Sequence, residues 1–383
     1  MNVIHILGHN SNWSIETYLQ QNVGDYFLIA AYNHGVDFIT KASFQKILDI
    51  SMIDLQFYGK KKSKGKGKLE EFSFHPANDK SDDATSVYFE NCIKNSITFQ
   101  IESGFKNIII PHFYAKDSVR DIIAMIRSLN KYVKRLPHDN KYFMTLPFAN
   151  HIILDSNKVE EILFECTEMN ISFDGYFVVC ENMPEFKKKV TTDIDVLKNI
   201  SRVLRTLKSQ HFETIYAYAN WDAILFLALT DIDFITIGTY ENLRNFDIKR
   251  YIEPDSGGAS KGYYFSEKLL NMIKADDITL LRKTGNLDMI RNEKNIFSDV
   301  ILKPGYDWNI HKPDVNKNYL LAITRLLKTI SGISDIAERK RFVKHMIDNA
   351  IDLYDTLEDR GTFLNKESGN YHLNVWKSFL SIE

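Results

Sequence analysis

The sequence predicts an α/β barrel of the (β/α)8 type, and three observations carry that prediction. From about residue 105, short apolar runs alternate with amphipathic stretches in steps of roughly 30 to 40 residues, the rhythm of strand–helix units. The apolar runs are nearly continuous, as in strands buried on both faces of a parallel sheet. The chain of 383 residues accommodates one barrel of about 250 residues with additions.

In chain order, Tyr26–Tyr32 (YFLIAAY) and Met52–Tyr58 (MIDLQFY) read as strands, Glu71–His75 (EFSFH) as a shorter one and Tyr88–Glu102 as a helix. Lys106–Phe113 is the next strand. A helix over Asp117–Lys134 follows, because Val119, Ile122, Ile123, Met125 and Ile126 share one face. Then come the strand Tyr142–Phe148, the helix Ser156–Met169, the strand Phe173–Cys180 and the helix Ile194–Ser209. The strand Thr214–Ala219, the helix Trp221–Leu229 and the strand Phe234–Thr239 complete the alternation. An eighth strand is expected from Asp277–Leu281 (DITLL), and the rival architecture is an open doubly wound sheet. Past Asn286 the pattern becomes helical, over Asn318–Ile330, Asp335–Asn349 and Ala350–Glu358. The expected organisation is therefore a barrel over 1–285 and a mostly helical extension over 286–383 packed on it. Lys60–Lys68 and Glu253–Gly262 read as loops.

Composition narrows the class. Hydrophobic residues make up 44% and charged residues 26%, ordinary for a globular protein. A net charge of −2 rules out a whole-protein basic field, so any nucleic-acid contact falls to local patches. Cys92, Cys166 and Cys180 lie far apart, which argues against a disulfide framework or a cysteine zinc site and fits reduced thiols in a cytoplasm. Met1–Trp13 is broken by His5, His9 and asparagines, so no leader is expected. No apolar run is long enough for a membrane span.

In a barrel, working groups lie where strands end. Those positions carry Asp54, Gln56 and Tyr58; His75 and Asn78; His112 and Tyr114; Asn150 and His151; Cys180, Glu181 and Asn182; Asn220, Trp221 and Asp222; and Thr236, Thr239, Glu241 and Asn242. Such a set suits a planar, hydrogen-bonding ligand. Each member also has a structural reading: Asp222 as a helix N-cap, Cys180 as a small core residue, His75 as a strand terminator, Asn150 and His151 as loop satisfiers. His75, His112 and His151, with Asp54 or Glu181, could form a scattered metal site. No tight ligand pair appears, and neither a metal nor a cofactor is expected. Lys60–Lys68 holds six lysines in nine residues and reads as a phosphate-touching arm or a solvated surface loop.

The segment order from Met52 to Phe246 resembles the tRNA-guanine transglycosylase superfamily, including its DNA-modifying relatives. Asp174–Cys180 (DGYFVVC), Tyr216–Asn220 (YAYAN) and Asp222–Arg244 are similar to the family's DGYAIGG strand, the strand before PxDLL and the GVDMFDCxxPTRxAR segment. Asp222, Leu225, Ala228, Asp233, Phe234 and Arg244 fall on matching places, and Ile53–Gly59 sits where the family has TDSGGFQ. EFSFH stands at its GVxFRSH stretch, and the helices from Tyr319 resemble its closing helices. The resemblance implies a (β/α)8 barrel exchanging a guanine in nucleic acid for a deazaguanine, with Asp54 as acid/base. Thr236 stands where the family has its nucleophilic aspartate, and Cys180 and Glu181 replace the glycine pair that accepts the base. The zinc-binding CxCxxC…H set is absent, since no cysteine follows Cys180.

Three readings follow. In the first, the protein cleaves or exchanges an N-glycosidic bond in tRNA or DNA. Asp54 and Glu181 or Glu241 are then catalytic, since two carboxylates flank the bond in such chemistry. Tyr114, Asn150, Cys180, Trp221 and Thr236 hold the base, and Lys60, Lys61, Lys62, Lys64, Lys66, Lys68 and Arg244 meet the nucleic acid. In the second, the barrel is a silent nucleic-acid-binding or partner subunit, with homo-oligomers also open. In the third, it is an unrelated barrel enzyme on a small molecule.

Overall fold

A computed structural model describes residues 1–59, 67–78, 86–113, 118–182, 188–252, 262–309 and 311–383. Eight parallel strands form a nearly closed barrel. They are β1 (Asn2–Leu7), β2 (Tyr26–Ala30), β3 (Ser51–Asp54), β4 (Asn107–Ile110), β5 (Lys141–Phe148), β6 (Gly175–Cys180), β7 (Glu213–Ala219) and β8 (Phe234–Gly238). The sheet order is β3-β2-β1-β8-β7-β6-β5-β4. β1 pairs with both β2 and β8, so the first strand closes the last, with Ile4 beside Tyr26 and Thr236. β3 and β4 lie in contact across the remaining seam, where the described residues form no ladder.

Seven strands are the predicted ones, with β3 ending at Asp54 rather than Tyr58 because Gln56 takes a left-handed conformation at φ 55°. The eighth is β1, not Asp277–Leu281. The latter lies in a helix over Ala275–Lys283, whose Asp276 and Asp277 occupy the first turn, where carboxylates suit the helix dipole. The missed strand, NVIHIL, is interrupted by His5. That imidazole is fully buried and shares a hydrogen bond between Nε2 and Thr324 Oγ1, 3.3 Å away. Glu71–His75 forms no strand: Glu71 ends a 3-10 turn that begins at Leu69, and Phe72 and Phe74 pack on Phe99.

The helical layer contains α1 (Ser11–Gln21), α2 (Ser86–Glu102), α3 (Val119–Val133), α4 (Ser156–Cys166), α5 (Ile194–Ser209) and α6 (Ala223–Leu227). Asp155 and Asp193 cap α4 and α5 through amide hydrogen bonds. After β8 come an antiparallel hairpin, β9 (Tyr263–Ser266) and β10 (Asn271–Lys274), and then the helix α7 over Ala275–Lys283. The expected boundary at 285/286 is followed by α8 (Pro313–Ser331), α9 (Ile336–Asp359) and α10 (Leu373–Ile382). α8 packs on β1, α1, α6 and β9. Arg339 of α9, 2% exposed, donates to the carbonyls of Leu227 and Thr230 and pairs with Asp231, fastening that helix to the turn between α6 and β8. No helix among the described residues is long and apolar enough to cross a membrane. All three cysteines are free and buried.

Candidate active site

The C-terminal ends of β3 and β7 bring one carboxyl into a cluster of phenols. Asp54, the last residue of β3, is 2% exposed. Its Oδ2 accepts hydrogen bonds from the hydroxyls of Tyr218 at 2.6 Å and Tyr58 at 3.0 Å, and its Oδ1 accepts from the amide of Gln56 at 2.9 Å. Burial pushes this carboxyl up to about 6, although the three donors and the nearby charge of Arg250 favour its ionised form.

Gln56 is the clamp of the cluster. Its side-chain Nε2 donates to the hydroxyls of Tyr218 (2.8 Å) and Tyr251 (3.0 Å), while its Oε1 accepts from the amide of Tyr32 (2.8 Å). Phe246 and Tyr251 come from the chain that follows β8. That chain turns back so closely that a Cβ on Gly238 would meet the Leu243 carbonyl oxygen at 2.7 Å, which keeps the position a glycine. Tyr58 meets Phe246 and Tyr251 edge-on at 4.8 and 5.3 Å, and Phe246 stacks on Tyr251. The Arg250 guanidinium lies over the rings of Tyr32 and Tyr251 at 5.1 and 5.7 Å. Outside Tyr32 lies an open surface pocket of about 560 Å³, also lined by His9, Asn33, Gly67, Lys68, Glu70 and Glu71.

Tyr218 reaches this cluster through an irregularity. Strict alternation would put Tyr216 and Tyr218 on one face of β7, and Tyr216 packs edge-on against Phe226 of α6 at 5.3 Å. The pairing of β7 with β8 shifts register between Tyr216 and Ala219, and Tyr218 adopts φ 54°. That bulge turns Tyr218 toward Asp54. No sequence signal marks it. Tyr251 and Phe246 were equally hidden, lying in a stretch without periodicity.

The other expected site residues are dispersed. Glu181, 6% exposed, bridges to Phe246, and its two oxygens accept from the amides of Asn150 (2.9 Å) and Ile248 (3.4 Å). It thereby ties the turn after β5 to the chain after β8. Glu241 is exposed and pairs with Lys189 at 2.8 Å. Thr236 is fully buried, and its hydroxyl accepts from the amide of Tyr218 at 2.7 Å. Trp221, 1% exposed, packs against Phe265 and His372. The Arg244 guanidinium lies 4.4 Å over the Tyr319 ring. Lys68 pairs with Glu71 at 2.5 Å. Tyr114, Lys60, Lys61, Lys62, Lys64 and Lys66 lie outside the described residues.

Asp222 holds the N-cap position of α6, but its side chain makes no capping hydrogen bond. It is 1% exposed, its Oδ1 has no hydrogen-bond partner among the described residues, and burial raises it to about 7. Burial also pushes the neighbouring Cys180 thiol far up, which holds it neutral. The histidines do not converge: His75 bonds the Leu55 carbonyl and the Ala77 amide, His112 the Phe113 carbonyl, and His151 is exposed. Among the described residues no group of three or more His, Cys, Asp or Glu could hold a metal ion.

No family model matches the chain, and no curated protein matches it. Among solved structures, the Bacillus cereus spore cortex-lytic enzyme SleL is similar at 12% identity with a TM-score of 0.33, over 56% of this chain. The likeness spans 50% of that enzyme and bears on neither family nor function.

Proposed function

We propose that the protein acts on the N-glycosidic bond of a nucleobase in nucleic acid, as a divergent relative of the tRNA-guanine transglycosylases, with Asp54 as its acid–base group. The observation that carries this reading is the Asp54 cluster: a buried carboxyl at a barrel strand end, drawn up to about 6, that keeps donors for its ionised form. Such a group exchanges a proton near neutral pH, as departure and entry of a base require. Arg244 and the lysines of 60–68 would meet the phosphates, in a cytoplasmic setting.

A second reading, a silent nucleic-acid-binding or partner subunit, is favoured by a different observation. Attack on the ribose needs a second carboxylate. Both oxygens of Glu181 receive backbone amides, Glu241 sits in a rim ion pair, and Thr236 accepts from Tyr218.

The deciding experiment incubates the protein with labelled tRNA and with labelled DNA and scores base release or exchange together with retention. Release or exchange that disappears in D54N supports the enzyme. Retention without turnover supports the silent subunit. Neither outcome with either nucleic acid removes both readings and leaves a barrel enzyme acting on a small molecule.

A further inference from the structure

Asp54 is almost sealed from solvent, yet an acid–base group must exchange its proton with the outside. The hydrogen bonds around it supply one route. The Tyr218 hydroxyl carries a single hydrogen, committed to Asp54 Oδ2 at 2.6 Å. In the 3.3 Å contact between the Tyr218 and Tyr251 hydroxyls, Tyr251 is therefore the donor. The chain of donors has one polarity, from Tyr251 to Tyr218 to Asp54. Its far member, Tyr251, is itself only 2% exposed and lies under the half-buried guanidinium of Arg250, which also covers Tyr32 at the edge of the surface pocket.

A second observation concerns the backbone. Gln56 and Tyr218 are both non-glycine residues held in the left-handed region, at φ 55° and 54°. Such conformations cost of order 1–3 kcal/mol each and persist where the surroundings over-determine them. Both sit in this one cluster, at the ends of different strands. The strain serves to bring the Tyr218 hydroxyl to Asp54 and the Gln56 amide to both phenols.

We propose that Tyr251 and Tyr218 are the proton conduit of Asp54, with Gln56 as the positioning residue that holds the two phenols in line. A proton arriving at Tyr251 Oη displaces that group's hydrogen to Tyr218 Oη. The hydrogen of Tyr218 passes to Asp54 Oδ2. Both phenols end neutral, the carboxylate becomes a carboxylic acid, and the reverse sequence discharges it. Tyr58 donates to the same oxygen at 3.0 Å but has no place in this relay. The titratable and charged groups facing Asp54 are Tyr58, Tyr218, Tyr251 and Arg250. The proposal rests on Asp54 being the acid–base group.

The test reads the proton on Asp54 and not turnover, so its failure and that of the base-exchange reading are distinguishable. The Asp54 carboxyl band, assigned by difference against D54N, is followed by time-resolved infrared spectroscopy after a pH jump. In Y251F, which leaves all three donors to Asp54 in place, protonation slows by about tenfold or more while the titration midpoint stays where it is. In Y58F the midpoint rises and the rate is kept. Y218F slows protonation as Y251F does, and carries the test if Y251F fails to fold. Wild-type rates in Y251F or Y218F, or equal slowing in Y58F, overturn the conduit.

Discussion

Asp54 and Asp222 are both carboxyls buried at the ends of barrel strands, at 2% and 1% exposure, yet their surroundings differ. Asp54 accepts from two phenols and an amide, and burial brings it only to about 6. Asp222 lies beside Cys180 with one oxygen unpartnered among the described residues, and burial brings it to about 7 despite nearby amides of its own turn. Desolvation is the leading cause for both; phenol hydroxyls and the Arg250 charge oppose it at Asp54, whereas only backbone amides oppose it at Asp222. One carboxyl is built to change its charge in place; the other is simply kept out of water.

The sharpest way to break this contrast is turnover. In the base-exchange assay, D54N is expected to lose about a hundredfold or more, the usual worth of a general acid or base, whereas D222N keeps the wild-type rate. Equal losses would erase the distinction.

Stability separates the two sites next. D54A strands the hydroxyls of Tyr58 and Tyr218 and the Gln56 amide, at a cost of about 2–4 kcal/mol in urea unfolding. D222N removes a carboxyl that resists ionising, and at pH 8 it is expected to stabilise the fold by about 1 kcal/mol or more, with a smaller gain at pH 5.

The pH dependence follows with its sign. Raised carboxyls contribute stability that is present below about 3.8 and lost as pH rises through about 6 for Asp54 and about 7 for Asp222. His5 and His372 run the other way. Burial lowers them from 6.5 to about 4 and about 3, so their contribution is present above 6.5 and lost as pH falls. Urea midpoints from pH 4 to pH 8 should therefore pass through a maximum, and in D222N the alkaline limb should flatten. An unchanged alkaline limb would show that Asp222 does not titrate there.

The smallest expected effect is on the Asp54 midpoint itself. Y58F removes one donor to the ionised form and should raise the midpoint by about one pH unit, measured by infrared titration. No movement would mean that the phenols do not tune this carboxyl.

Much of the barrel was legible because its strands are unbroken apolar runs spaced by helices. β1 was not, because a polar histidine interrupts it and only the fold brings Thr324 to the Nε2 of His5. DITLL carried the composition of a strand, but its own Asp277 and the preceding Asp276 lie in the first turn of a helix in which Asp277 also accepts from Asn365 and Ser368 of the C-terminal region.

The candidate site divides in the same way. Position along the chain identified Asp54, Gln56 and Tyr58, because strand ends are where barrels expose function. It equally offered Glu181, which the fold uses to hold two loop amides, and Trp221, which it packs against Phe265 and His372. Tyr218 and Tyr251 could not be read from the chain.

By itself the sequence determined the alternation of strands and helices, because periodicity and propensity act over a few residues. Only the tertiary structure decided which strand closes the barrel and which polar groups share a site. Those outcomes rest on a register shift in β7, two left-handed residues and contacts between segments far apart in the chain, and each is settled by what the rest of the fold brings alongside.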